Sequence, residues 1–88
     1  MNGYVYILKS LKNGRYYIGS TININNRLKK HNTGLVKSTC KCRPYKLELV
    51  QKYESITKAK QIEYKIKKLK RRDYIEKMIR DKNIKMDA

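Results

Sequence analysis

Eighty-eight residues allow one small domain with a single thin core, near the lower limit of what folds without metals or disulfides. Twenty-three Lys and Arg against seven acids give a formal net charge of +16, and such a chain repels itself unless an anion neutralises it, which makes nucleic acid the leading partner. A membrane surface is the weaker reading, because no segment joins a basic face to a continuous apolar one. No stretch nears the roughly 20 apolar residues of a transmembrane helix and no signal-peptide pattern opens the chain, so a cytoplasmic protein is expected.

Tyr4-Val5-Tyr6-Ile7-Leu8 and Tyr16-Tyr17-Ile18-Gly19 read as two strands on either side of Lys12-Asn13-Gly14. Asn-Gly between alternating segments is the strongest short-range hairpin signal. A two-residue loop at 12–13 or 13–14 pairs even positions of the first strand with odd positions of the second and puts Tyr6 and Tyr17 on one face, unless a bulge intervenes. Tyrosine in a strand is commonly a packing residue. With eight tyrosines and neither Phe nor Trp, however, this chain uses a phenol wherever it needs an aromatic, which leaves some hydroxyls near water.

Asn23 next caps a helix with Ile24 and Leu28 facing inward, and Asn32-Thr33-Gly34 stops it. Arg27 and His31 fall one turn apart on the same side. Residues 35 to 44 read as a loop closed by Pro44, and residues 45 to 53 alternate Tyr45, Leu47 and Leu49 against Lys46, Glu48 and Lys52 as a third strand, with Val50 out of step. From a cap at Thr57, Ala59, Ile62, Ile66 and Leu69 recur at helical spacing. Asp73 with Glu76 then looks like the start of a short helix carrying Ile75, Met78 and Ile79. Residues after about 80 are polar and expected to fray.

The order ββαβαα describes an α+β domain, a three-stranded antiparallel sheet with flanking helices over residues 1–80, followed by a tail at 81–88. Cys40 and Cys42 are too close along the chain for an easy disulfide and too few for structural zinc even with His31, so free thiols are expected. The run Lys67-Lys68-Leu69-Lys70-Arg71-Arg72 resembles a nuclear-localisation patch, although a solvated helix face or a phosphate-contacting edge explains it more simply.

Glu63 is out of place. It lies about 40° from Ala59 on a helical wheel, inside the stripe that holds Ile62 and Ile66. One reading is a partly exposed bridge to Lys67, worth roughly 0.2–0.5 kcal/mol. The other is a divalent-cation ligand, since Mg²⁺ commonly takes one or two carboxylates and completes its shell with substrate phosphates. His31 has an equally plain reading as a surface or satisfied histidine, and Arg27 as a generic phosphate contact.

Taken together, these residues resemble a stand-alone GIY-YIG nuclease domain of the small bacterial, UPF0213-like branch, related in fold to the homing endonucleases and to the nuclease module of nucleotide excision repair. Tyr4-Val5-Tyr6 stands in the first motif, Tyr17-Ile18-Gly19 in the second, then Arg27 and His31 on the helix and Glu63 at the metal-binding glutamate, so that the similarity covers roughly residues 3 to 80. Tyr4 replaces the first-motif glycine, and the asparagine that larger members carry after the glutamate helix has no match better than Asn83. The resemblance implies single-metal phosphodiester hydrolysis, with Mg²⁺ or Mn²⁺ on Glu63, Arg27 gripping the phosphate, Tyr6 and Tyr17 orienting the attacking water, and His31 taking a phenolic proton. DNA is the first substrate candidate and RNA the second, with little intrinsic sequence specificity expected, since so little chain lies outside the motifs that no separate sequence-reading domain is expected. The rival expectations are a non-catalytic basic nucleic-acid binder whose aromatics stack bases and a structural ribonucleoprotein component.

Overall fold

The computed structural model describes residues 2–34, 40–69 and 71–84. Three strands, β1 (Gly3–Ser10), β2 (Tyr16–Thr21) and β3 (Tyr45–Tyr53), form an antiparallel sheet in the order β2-β1-β3. Helix α1 (Ile24–Thr33) covers one side, and α2 (Ile56–Leu69) and α3 (Arg72–Asp81) cover the other. The expected α+β architecture and element order are those observed. A short 3-10 turn at Cys40–Cys42 precedes β3, and Cys42 carries a free thiol; residues 35–39 of the expected loop lie outside the described residues.

The hairpin has a longer loop than the Asn-Gly signal predicts. Lys9 pairs with Tyr16, and Ser10 N donates to Arg15 O at 2.8 Å, leaving Leu11 to Gly14 as the connection. Ser10 Oγ accepts from the amides of Lys12 and Asn13, and Gly14 takes φ 74°, the left-handed conformation for which glycine has no Cβ penalty. Four residues preserve the parity that two would give. Tyr6 therefore pairs with Gly19 and Leu8 with Tyr17, and Tyr6 and Tyr17 share a face as expected.

β3 departs from the sequence pattern. Its register against β1 shifts between Ile7 and Leu8: Ile7 pairs with Leu49, but Leu8 pairs with Leu47. Glu48 is the extra residue of a bulge, so Tyr45 and Leu47 join Tyr6 and Leu8 under α1, whereas Leu49 joins Val5 and Ile7 under α2. The single inward face expected for Tyr45, Leu47 and Leu49 is thus divided between two cores.

Three further expectations change. Ser55, not Thr57, caps α2, with its Oγ accepting from Lys58 N at 3.1 Å. The α2 stripe buries Ala59, Ile62 and Ile66, but Leu69, at the helix end, is exposed. The start of α3 is Arg71, which makes no side-chain cap; Asp73 sits inside the first turn and accepts from Arg71 at 2.8 Å instead of capping. Part of the expected tail is anchored. Ile84 is buried in the core with Met78, and the Gln51 side-chain amide clasps its backbone in both directions, at 2.7 and 3.1 Å. Residues 85–88 lie outside the described residues.

Candidate active site

The polar side of the sheet is built from two neighbouring elements. On α1, Asn23 Oδ1 accepts from Asn26 N at 3.1 Å to start the helix, and Gly34 in the left-handed region stops it. Asn32 pins the helix to β3, accepting from Tyr45 N at 2.7 Å and donating to Tyr45 O at 3.3 Å. The helix phase so fixed turns Arg27 and His31 toward β1.

Tyr6 lies between them. Arg27 Nε donates to the Tyr6 hydroxyl at 3.2 Å, and the same hydroxyl is 3.0 Å from His31 Nε2. With Arg27 donating, the phenol can give its own proton to the imidazole, with Nε2 as the acceptor of a neutral ring. Burial first, and the Arg27 charge second, lower the His31 pKa from 6.5 to about 4. Burial likewise raises the Tyr6 phenol above its usual range, against the opposing pull of Arg27. The Arg27 guanidinium is held charged above its ordinary value, chiefly by its bond to Tyr6.

An aromatic cage closes around the imidazole. His31 is edge-on to Tyr17 at 4.8 Å between centroids, to Tyr6 at 5.7 Å and to Tyr45 at 6.0 Å, and Tyr6 and Tyr17 are 6.4 Å apart. Tyr6 is fully buried, whereas Tyr17 is half-buried at the β2 edge. Gly19 is the condition for this arrangement. A Cβ at that position would overlap the Tyr6 ring and hydroxyl, which cross β2 directly over the glycine.

Glu63 approaches from the other side of the sheet. Its Oε1 accepts from Ser20 Oγ at 2.5 Å, and by strand parity Ser20 faces α2 while Tyr17 and Gly19 face α1. Its Oε2 is 2.7 Å from Lys67 Nζ, and that same ammonium stands 5.7 Å from the centre of the Tyr17 ring. Tyr6, Tyr17, Arg27 and His31 therefore form one cluster, and Glu63 joins it around the β2 edge through Lys67. The bridge to Lys67, one of the two readings of Glu63, is present.

Two further participants take their roles from tertiary contacts. Ser20 is the residue after the second motif, and only strand parity combined with the helix phase of Glu63 could have paired them. Gly19 was visible as a motif letter, but its reason, the passage of the Tyr6 ring, is a tertiary contact.

Known proteins resemble this chain along most of its length. The family model described as the GIY-YIG catalytic domain matches residues 2–78. The chain is 40% identical over 73 residues to the UPF0213 protein BH0048 of Halalkalibacterium halodurans, covering 82% of this chain and 77% of that protein. It is 41% identical over 83 residues to the UPF0213 protein CPE1444 of Clostridium perfringens, covering 93% and 87%. The solution NMR structure of the UPF0213 protein BH0048 from Bacillus halodurans is similar in fold, with a TM-score of 0.59 at 36% identity over 94% of this chain and 87% of that one. With Tyr6 and Tyr17 on one face, Arg27 and His31 at the Tyr6 hydroxyl and the family model matching nearly end to end, the chain belongs to the GIY-YIG family, beside the small UPF0213 proteins.

Proposed function

We propose that this chain is a divalent-cation-dependent endonuclease that hydrolyses phosphodiester bonds in DNA, and secondarily RNA, with little intrinsic sequence specificity. The observation that carries the reading is the Arg27–Tyr6–His31 hydrogen-bonded array, which couples a phosphate-binding cation to a phenol and the phenol to a neutral imidazole. The membership of a nuclease family and the charge of +16 point to the same substrate.

Glu63 is the residue that would hold Mg²⁺ or Mn²⁺. It is a carboxylate whose side chain is 20% exposed and whose Oε2 already attracts a cation, Lys67. Among the described residues no three His, Cys, Asp or Glu side chains gather as a metal cage; one carboxylate suits an ion whose other ligands are water and substrate oxygens. Such an ion supplies charge stabilisation to the phosphate and leaving oxygen.

The protein's own residues account for the proton. Arg27 binds a non-bridging phosphate oxygen, and Tyr17, at the half-exposed edge, positions the substrate and water. The water oxygen forms its bond to phosphorus as its proton passes to the Tyr6 oxygen, and the Tyr6 proton passes to His31 Nε2. The leaving oxygen departs with the bonding pair and is reprotonated from solvent. This relay needs no free phenolate, which the raised Tyr6 pKa disfavours. A phosphate on Arg27 also offsets the charge that helps to depress His31.

The rival reading, a non-catalytic nucleic-acid binder, draws on one observation: Glu63 is already neutralised by Lys67 and bonded to Ser20. Purified protein incubated with labelled single-stranded, duplex and branched DNA separates the two. Cleavage with Mg²⁺ or Mn²⁺ that stops on chelation is expected; salt-sensitive binding with no cleavage under any metal condition would leave only the binder.

A further inference from the structure

The outward face of α2 does nothing in this mechanism. It is a shallow open groove lined by Thr57, Lys60, Gln61, Tyr64, Lys65 and Lys68. Tyr64, in the middle, is 65% exposed, more than any other large apolar or aromatic side chain among the described residues. Three lysines surround it on the same helix, and Lys68 Nζ stands 5.9 Å from its ring centre. A helix that needed only solubility there would carry another lysine or glutamate, which cost less than an exposed ring.

We propose that this face is a docking surface for single-stranded nucleic acid, with Tyr64 as the platform on which one unpaired base stacks and Lys60, Lys65 and Lys68 holding the flanking phosphates. Charge complementarity selects a polyanion. The aromatic selects the kind of polyanion: within a duplex both faces of each base are already stacked and phosphate contacts need only the lysines, whereas an unpaired base offers a free face to a ring. A second exposed tyrosine under a cation lies beyond the helix end, with Arg71 4.6 Å from the Tyr74 ring centre and Tyr74 42% exposed.

Helix phase links the platform to the catalytic edge. At 100° per residue Lys67 and Lys60 fall between Glu63 and Tyr64 around the α2 axis. A strand stacked on Tyr64 therefore runs over two cations toward the carboxylate. The proposal rests on the nuclease reading for this direction, and it adds a substrate class to it: strands with unpaired bases beside the cut, such as single strands, flaps or branch points.

The test is binding in chelator, where no cleavage occurs. An oligonucleotide with one 2-aminopurine is titrated as a single strand and as a duplex with wild type, Tyr64→Phe and Tyr64→Ala, with folding checked by circular dichroism. The expected result is quenching by wild type and Tyr64→Phe, and at least about fivefold weaker single-strand binding by Tyr64→Ala with duplex binding kept within about twofold. Unchanged single-strand binding by Tyr64→Ala overturns the proposal. So does an equal loss for both forms, which would mean a surface that reads only phosphate, and so does wild type that binds no single strand, which would leave the face to an acidic protein. Failure of the nuclease reading looks different: wild type would bind through Tyr64 yet cut nothing with Mg²⁺ or Mn²⁺.

Discussion

β1 presents Val5 and Ile7 to α2 and α3, and Tyr6 and Leu8 to α1. The two sides bury comparable side chains by different means. On the α2 side, Val5, Ile7, Ile62 and Ile66 contribute area removed from water, which depends little on direction. On the α1 side, Tyr6 and His31 are also wholly buried, but each polar atom is tolerated only because a partner faces it. The chain thus has one side that holds it together and one side that, on the proposed function, is both structure and chemistry. Changes to the apolar core residues of the first should alter stability alone, and changes on the second should alter both.

The largest effect is expected on the apolar side. Ile62→Ala empties a fully buried position and should cost about 2–5 kcal/mol in a denaturant titration. Cleavage per folded molecule should stay at the wild-type rate. A proportionate fall in the rate of the folded fraction would dissolve the separation between the sides.

Next comes the pH dependence that only the polar side can produce. Folding lowers the His31 pKa from 6.5 to about 4, so between those values the unfolded chain binds the extra proton and stability rises with pH. The contribution is whole above pH 6.5, is lost progressively as the pH falls to about 4, and is flat below that. For this fully buried ring the loss approaches about 3 kcal/mol. Denaturation of wild type and His31→Gln across pH 4–8 isolates it, because carboxylates titrate in both. Parallel curves would mean that the ring is not held neutral.

Tyr6→Phe removes the hydroxyl that Arg27 and His31 share. About 1–3 kcal/mol of stability should go with it, and single-turnover cleavage should fall by about a hundredfold or more. Loss of stability with full cleavage would make Tyr6 a packing residue, the ordinary role for a strand tyrosine.

Much of this contrast was legible in the sequence, and the exceptions share a cause. Asn13-Gly14 located the hairpin, and because four loop residues keep the parity of two, the shared face of Tyr6 and Tyr17 survived the error in loop length. Asn23, Gly34 and the spacing of Arg27 and His31 fixed α1 from local rules alone. The Glu48 bulge was not legible. Tyr45, Leu47 and Leu49 alternate perfectly, and only the demands of two opposing cores place them on different sides. Ile84, among polar residues, is buried in the core and held there by Gln51, thirty-three positions away. Local periodicity carries information about one face at a time, whereas this sheet is covered on both.

Glu63→Gln gives the smallest expected change in stability and the sharpest separation of roles, since Glu63 alone of the candidate site residues comes from the apolar side. From the sequence, an uncompensated carboxylate beside Ile62 and Ile66 predicts stability that holds or rises on neutralisation, and a bridge to Lys67 predicts a small loss. The structure has the bridge. Glutamine keeps an acceptor for Ser20 Oγ but loses the bridge to Lys67, whose side chain is 49% exposed; discounted for solvent screening, that bridge is worth a few tenths of about 1 kcal/mol. Binding measured in chelator should be nearly unchanged, while cleavage should fall by at least about tenfold to a hundredfold if the carboxylate anchors the cation. A denaturant titration and a single-turnover assay on the same preparation read both. Full-rate cleavage with the same metal requirement would reduce Glu63 to a strut between β2 and α2, and the metal would then have to be held elsewhere.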